Sequence, residues 1–296
     1  MLTRIGLFIV TNFAVLAVLN ISMRLLGIDD WLASQGMAGQ MNGIIVMAAI
    51  FGFGGAFISL AMSKSMAKHG MGVKVIDQPR NATESWLLET VRSQASDAGI
   101  GMPEVGVFES PQPNAFATGM NKNAALVAVS TGLLQNMSQL EVEAVLGHEV
   151  SHVANGDMVT MGLLQGVLNT FVIILSRVLG MIIDKVIFRI ERSIGPGYWI
   201  GIIAGQFIFG ILAAIIASWF SRRREFRADS GGAQLAGRNN MIAALKRLQA
   251  VHDGHELPGQ LAAFGIAGGG LAQGIRKLLM SHPPLPERIQ ALQAAG

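Results

Sequence analysis

Hydrophobicity along the chain follows two regimes. Four apolar stretches, residues 5–23, 41–62, 158–183 and 198–220, are each close to the length of about 20 residues that a helix needs to cross a bilayer. Residues 64–157 and 222–296 instead show short periods. In 83–98, Trp86, Leu87 and Val91 share one helical face, and Gly99 ends the run. Residues 105–108 and 124–130 are β-type runs, with Pro111, Pro113 and Gly119 punctuating the stretch between them. Ser138 and Glu141 make a capping-box signature that opens a helix, and Asn155-Gly156 closes it. Further helices are predicted over 224–236 and 240–251, and after Pro286, with a glycine-rich stretch between the last two. The pattern predicts a mostly helical α+β chain with four transmembrane helices and a small β-sheet. Residues 1–63 form one membrane hairpin and 158–221 a second. Residues 64–157 and 222–296 together form one discontinuous domain.

Composition agrees with this division. Hydrophobic residues make up 51% and charged residues 14%, against about 25% charged in soluble domains, and mean hydropathy is +0.47. Disordered, collagen-like and ordinary cytosolic classes are excluded. A lone Arg4 before a long apolar run favours a retained first span over a cleaved leader. The loop after that span holds Asp29 and Asp30 and no lysine or arginine. Lys64, Lys68 and Lys74 follow the second span, and Arg222, Arg223 and Arg224 the fourth, so both of these flanks read as cytoplasmic. Lys185, Arg189 and Arg192 in the loop between the last two spans, and Arg177 late in the third, run against a simple hairpin. Gly162 and Gly166, like Gly201 and Gly205, have the spacing that lets membrane helices approach closely. The net charge of +3 gathers beside apolar segments, which points to the lipid bilayer as partner and away from nucleic acid.

The chain has no cysteine, so any metal must sit on His, Asp or Glu. Within the capped helix, His148 and His152 stand one turn apart on one face. Glu149 lies about 100° round, beside the ion and not on it. This is the arrangement of two ligands and a general base. Beyond the fourth span, Glu225 and Asp229 repeat the i, i+4 spacing. One carboxylate can serve as third ligand while the other accepts the outer N–H of a ligating histidine. The chain between His152 and Glu225 must cross the membrane an even number of times for them to meet, and it holds two apolar segments. A non-hydrolytic zinc-stabilised membrane scaffold or chaperone is the competing reading. A purely structural site, however, has no use for a base at Glu149.

His148 to His152, the continuation through Thr160 (HEVSHVANGDMVT), Glu225 with Asp229, and Ser281-His282-Pro283-Pro284 resemble the HtpX family of bacterial membrane-bound zinc metalloproteases. The resemblance spans nearly the whole chain. It implies a gluzincin-like catalytic domain on the cytoplasmic face of the inner membrane, holding one Zn2+. It also implies polypeptide substrates, among them misfolded or damaged membrane proteins in quality control and stress response. His148, His152 and Glu225 become the expected ligands and Glu149 the base. Asp229, one turn past Glu225, becomes a partner to a ligand histidine. His282 becomes the expected oxyanion stabiliser, because Tyr198, the single tyrosine, begins the fourth span. Asn114, Ala115, Phe116 and Ala117 resemble an edge strand that takes extended substrate by strand addition. His69, His252 and His255 with Glu256 read as solvated, and Glu141 as a cap.

Overall fold

The computed structural model describes residues 40–190, 194–253 and 278–295, with Ile21, Leu25, Gly27, Asp30 and Ser34 besides. The first apolar stretch apart from Ile21, Arg192, the glycine-rich stretch, and His255 with Glu256 lie outside the described residues. The chain divides into two compact units: Met1–Ser59 with Met161–Ala217, and Leu60–Thr160 with Ser218–Gly296. Among the described residues, three helical passages are long and apolar enough to cross a membrane: Asn42–Gly70, Asp157–Ile187 and Pro196–Ala236.

The first unit is built from α1 (Gln40–Ala49), a π-turn (Ile50–Gly54), the start of α2 (Gly55–Gly70), and the apolar parts of α6 (Asp157–Ile182) and α7 (Pro196–Ala236). Large side chains along α7 face outward, among them Ile203, Phe207 and Leu212, as expected of a lipid-facing surface. Gly201 and Gly205 face inward. A Cβ at Gly201 would lie 2.5 Å from Gly180 Cα, and one at Gly205 2.7 Å from Ser176 Cα. Here the small-residue spacing seen in the sequence sets the distance between α6 and α7. Two charged side chains just beyond α6 are committed to backbone groups. Asp184 is buried and accepts hydrogen bonds from the Gly195 and Tyr198 backbone N–H groups at 2.9 and 3.2 Å, satisfying donors at the start of α7. Lys185 Nζ donates to the Ile190 carbonyl at 2.6 Å.

The second unit carries β1 (Lys74–Val75), α3 (Ala82–Asp97), β2 (Glu104–Phe108), β3 (Ala115–Thr118), β4 (Leu126–Ser130), α4 (Thr131–Asn136), α5 (Gln139–Asn155), α8 (Arg238–Asp253) and α9 (Leu285–Ala294). The sheet order is β1-β2-β4-β3, with β2 and β4 parallel and the outer pairings antiparallel. β4 is buried along its whole length because both of its faces are covered, which is why it reads as a continuous apolar run. Val127 and Val129 join Leu87, Val91, Leu146, Val150 and Leu245 in the main core. Leu126 and Ala128 face the other way, onto Phe108 and Val73. Burying each such Leu or Val stabilises by about 1.5–3 kcal/mol. Two capped starts fix the helices below the core. The Asn81 side chain accepts from Glu84 N while Arg80 N donates to Glu84, and Ser138 and Glu141 form the full capping box. A cap of this kind contributes about 1 kcal/mol.

Two elements differ from the sequence reading. β4 begins at Leu126 and not at 124, and α7 runs unbroken from the apolar stretch through 224–236. The change at Arg222, Arg223 and Arg224 is a change of surroundings, not of backbone, since arginine is a strong helix former.

Candidate metal centre

α5 starts at its capping box and stops at Gly156, whose left-handed backbone (φ 68°) ends the helix. Between these points the helix presents His148 and His152 on one face, their Nε2 atoms 3.1 Å apart. The rings meet edge to face at 88°. α7 lies against this helix at Gly231 and Gly232. A Cβ on Gly231 would fall 2.3 Å from Ser151 Oγ, and one on Gly232 3.0 Å from His148 N. That close approach lets the preceding two turns of α7 reach the histidines. Glu225 Oε1 lies 3.4 Å from His152 Nε2, and Oε2 3.6 Å from His148 Nε2. The three side chains are only 9%, 11% and 3% exposed (His148, His152, Glu225).

The outer ring nitrogens are held as well. His148 Nδ1 lies 3.0 Å from Asp229 Oδ1. Asp229 in turn accepts a forked pair from Arg288, whose Nε donates to Oδ2 at 2.7 Å and whose Nη2 donates to Oδ1. His152 Nδ1 lies 2.7 Å from Oδ2 of Asp157, buried in the first turn of α6. Each carboxylate selects the imidazole tautomer protonated on Nδ1, leaving an Nε2 lone pair turned inward. Burial opposes charge on His152, but the hydrogen bonds to Asp157 and Glu225 outweigh it and raise its pKa to about 9. At His148 burial is likewise overcome, by Asp229 and then Glu225, and the pKa rises. Burial would lift the Glu225 carboxyl, yet His148, His152 and His282 hold it well below the ordinary carboxylate range. The pocket thus favours positive charge at its centre.

A metal fits this donor set. Two inward lone pairs and a buried carboxylate repel one another unless a cation lies among them, and one ligand atom from each of the three residues lies within 4.8 Å of the others. Tetrahedral bonds of about 2.0–2.1 Å separate neighbouring ligand atoms by about 3.4 Å. The observed separations run from 3.1 to 3.6 Å.

Glu149 is half-buried on the adjoining face and makes no hydrogen bond or ion pair among the described residues, which leaves its carboxylate available to a water at the centre. His282, 65% exposed, brings Nδ1 to 2.9 Å from Glu225 Oε2. Ala115, Phe116 and Ala117 lie in β3, at one edge of the sheet and packed against α5. Asn114 precedes that strand and ties it to β4 through Ser130: Asn114 N donates to Ser130 Oγ, and Ser130 N to Asn114 O, both at 2.9 Å. Glu141 stays at its cap, and His69, exposed on α2, hydrogen-bonds Ser65.

Three contributors escaped the sequence reading. Asp157 had a signal, because Asn155-Gly156 turns the chain so that the next residue folds back toward His152. Gly231-Gly232 could have been read as a close helix contact. Arg288 lies in a short amphipathic helix with nothing local to mark it.

A model of peptidase family M48 matches residues 81–295. The chain is 62% identical to the protease HtpX of Thioalkalivibrio sulfidiphilus over 291 residues, 98% of each chain. It is 60% identical to the protease HtpX homolog of Nitrosomonas europaea, covering all of both chains. It is 62% identical to the protease HtpX of Xanthomonas axonopodis pv. citri, covering 100% of this chain and 99% of that one. Among solved structures, the crystal structure of S. mikatae Ste24p is similar in fold, with a TM-score of 0.56 and 20% identity over 90% of this chain and 66% of that one.

Proposed function

The chain belongs to peptidase family M48 and is a membrane metalloprotease; from that premise we propose a zinc endopeptidase with His148, His152 and Glu225 as its ligands. The observation that carries the assignment is the convergence of two imidazole lone pairs and a buried carboxylate at one point. Zinc, when bound, supplies Lewis acidity toward the scissile carbonyl and makes a water acidic enough to attack at neutral pH. Glu149 accepts that water's proton and returns it to the leaving amine. His282 donates to the oxygen that gains charge on the scissile carbon. Asp229 and Asp157 keep the two ligand rings oriented, and Arg288 keeps Asp229 ionised and in place. Asn114, Ala115, Phe116 and Ala117 receive an extended substrate along the free edge of the sheet, the backbone supplying hydrogen bonds.

The substrates in this reading are misfolded or damaged membrane proteins, cleaved in quality control at the bacterial inner membrane. Four spans anchor the chain, and the catalytic domain faces the cytoplasm, as the lysines and arginines after the second and fourth spans indicate. The test is Glu149→Gln assayed on an unfolded polypeptide. Zinc content and fold should be retained while turnover falls about 10²–10⁴-fold. Turnover near the native level would remove Glu149 from the mechanism. A native chain that binds zinc and cleaves nothing would favour the scaffold reading.

A further inference from the structure

Arg177 is a charge in an apolar segment. It stands on α6 about 24 Å of helix beyond Met161, where the first unit resumes, which places it toward the far end of the hydrocarbon. A guanidinium offers five N–H donors. Here Nη1 donates to the Ile173 carbonyl one turn back at 3.3 Å, and Nη2 lies 3.8 Å from Met47 Sδ, a weak acceptor. No carboxylate pairs with it among the described residues. Asp184, two turns on in the π-turn Ile183–Ile187 that follows α6, is already committed to the Gly195 and Tyr198 backbone. An intramembrane arginine left in this state is costly, and such residues mark binding sites.

Beside Arg177 an open groove of about 400 Å³ runs between α1, α6 and α7, its walls formed by Ile44, Met47, Ile194, Tyr198 and Ile202. Trp199 borders it, 61% exposed, with its ring 5.5 Å from that of Tyr198. The adjoining face of α7 is apolar and open, with Ile203 at 70% and Phe207 at 72% exposure. One cation, an aromatic pair of the kind found at headgroup level and an apolar channel opening onto a lipid-facing surface make a consistent set. We propose that this groove binds an anionic phospholipid, with the headgroup phosphate on Arg177 and an acyl chain along Ile44, Met47 and Ile202. Basic pockets between spans bind lipid headgroups for the same reason. Free phosphate would satisfy the arginine but leave the apolar walls unfilled.

The test uses the full chain in maltoside micelles, titrated separately with phosphatidylglycerol, phosphatidylcholine and inorganic phosphate. Native mass spectrometry reads retention, and thermal unfolding reads stability. Phosphatidylglycerol should be retained about tenfold better than phosphatidylcholine and should raise Tm, while inorganic phosphate does neither. Arg177→Met should lose the preference. Arg177→Lys should keep part of it, because the charge remains but the planar fork does not. Equal retention of the two lipids by the native chain, or undiminished preference in Arg177→Met, overturns the proposal. A Tm rise with inorganic phosphate alone replaces the lipid with a free anion. If Arg177→Met does not fold, the native competition decides by itself. Loss of folding shared by Arg177→Met and Asp29→Asn or Asp30→Asn, with no lipid preference in the native chain, assigns the arginine a partner within the protein and ends the proposal.

Discussion

Helix α7 makes two glycine contacts of the same kind with different consequences. In the apolar unit, Gly201 and Gly205 press on Gly180 and Ser176, and nothing polar depends on the fit. In the other unit, Gly231 and Gly232 press on Ser151 and His148, and the distance they set is the distance from Glu225 to the two imidazoles. On the proposed reading, a few tenths of an ångström cost packing in the first place and coordination in the second. Close approach is thus a source of stability in one region and of chemistry in the other.

The comparison can be broken or sharpened by substitution, beginning with Glu225, the carboxylate that the second contact delivers and the proposed third ligand. Glu225→Ala should lower metal affinity by more than the roughly 100-fold upper range for an outer partner and abolish proteolysis, measured by metal analysis after dialysis. Full metal occupancy in that variant would detach the glycine contact from coordination altogether. Asp229→Asn should follow, keeping the metal but losing about 10–100-fold in affinity. The cause is that an amide accepts more weakly than a carboxylate from His148 and no longer pairs with Arg288. An affinity indistinguishable from native would remove Asp229 from the centre.

The glycines themselves come third. Gly231→Ala meets Ser151 Oγ at 2.3 Å and should cost about 1–3 kcal/mol through overpacking together with about tenfold in metal affinity, partly restored by Ser151→Gly. Gly201→Ala meets Gly180 Cα at 2.5 Å and should cost similar stability while leaving metal affinity within about twofold, as independent sites do. Equal loss of affinity in both variants would erase the distinction. The smallest effect belongs to a partly exposed cluster away from the metal centre. Lys64 lies 3.0 Å from Glu104 Oε1 and Lys68 pairs with Oε2. Burial favours the neutral acid, but the two lysines together outweigh it and lower the Glu104 pKa below its ordinary 4.5. This contribution is therefore fully present above pH 4.5 and fades as pH falls through the lowered value. Glu104→Gln should cost less than about 1 kcal/mol at neutral pH, seen as a small shift in denaturation midpoint that vanishes in acid.

Local chemistry was legible in the sequence wherever it repeats along one element. The turn-spaced histidines, the capping box at Ser138 and the second carboxylate pair each lie on a single helix, and helical geometry converts their spacing into direction. Strand β4 was legible because two covered faces demand an unbroken apolar run. What the sequence hid depends on contacts between distant segments. Arg288 is an ordinary basic residue until Asp229 folds against it, and the two-residue β1 is too short for any periodicity. The continuity of α7 was hidden for a different reason: hydropathy reports solvent, and the helix passes from one solvent to another without a backbone signal.

The pairing of Arg288 with the centre also has a meaning in time. Arg288 approaches His148 across 140 positions of sequence, and two apolar segments intervene. At ordinary translation rates those residues take on the order of ten seconds to synthesise. Throughout that interval the histidine helix exists without Arg288, and for more than half of it without Glu225 and Asp229 as well. The centre is therefore completed only when the last helix of the chain has been made, after both apolar segments and the carboxylates that follow them.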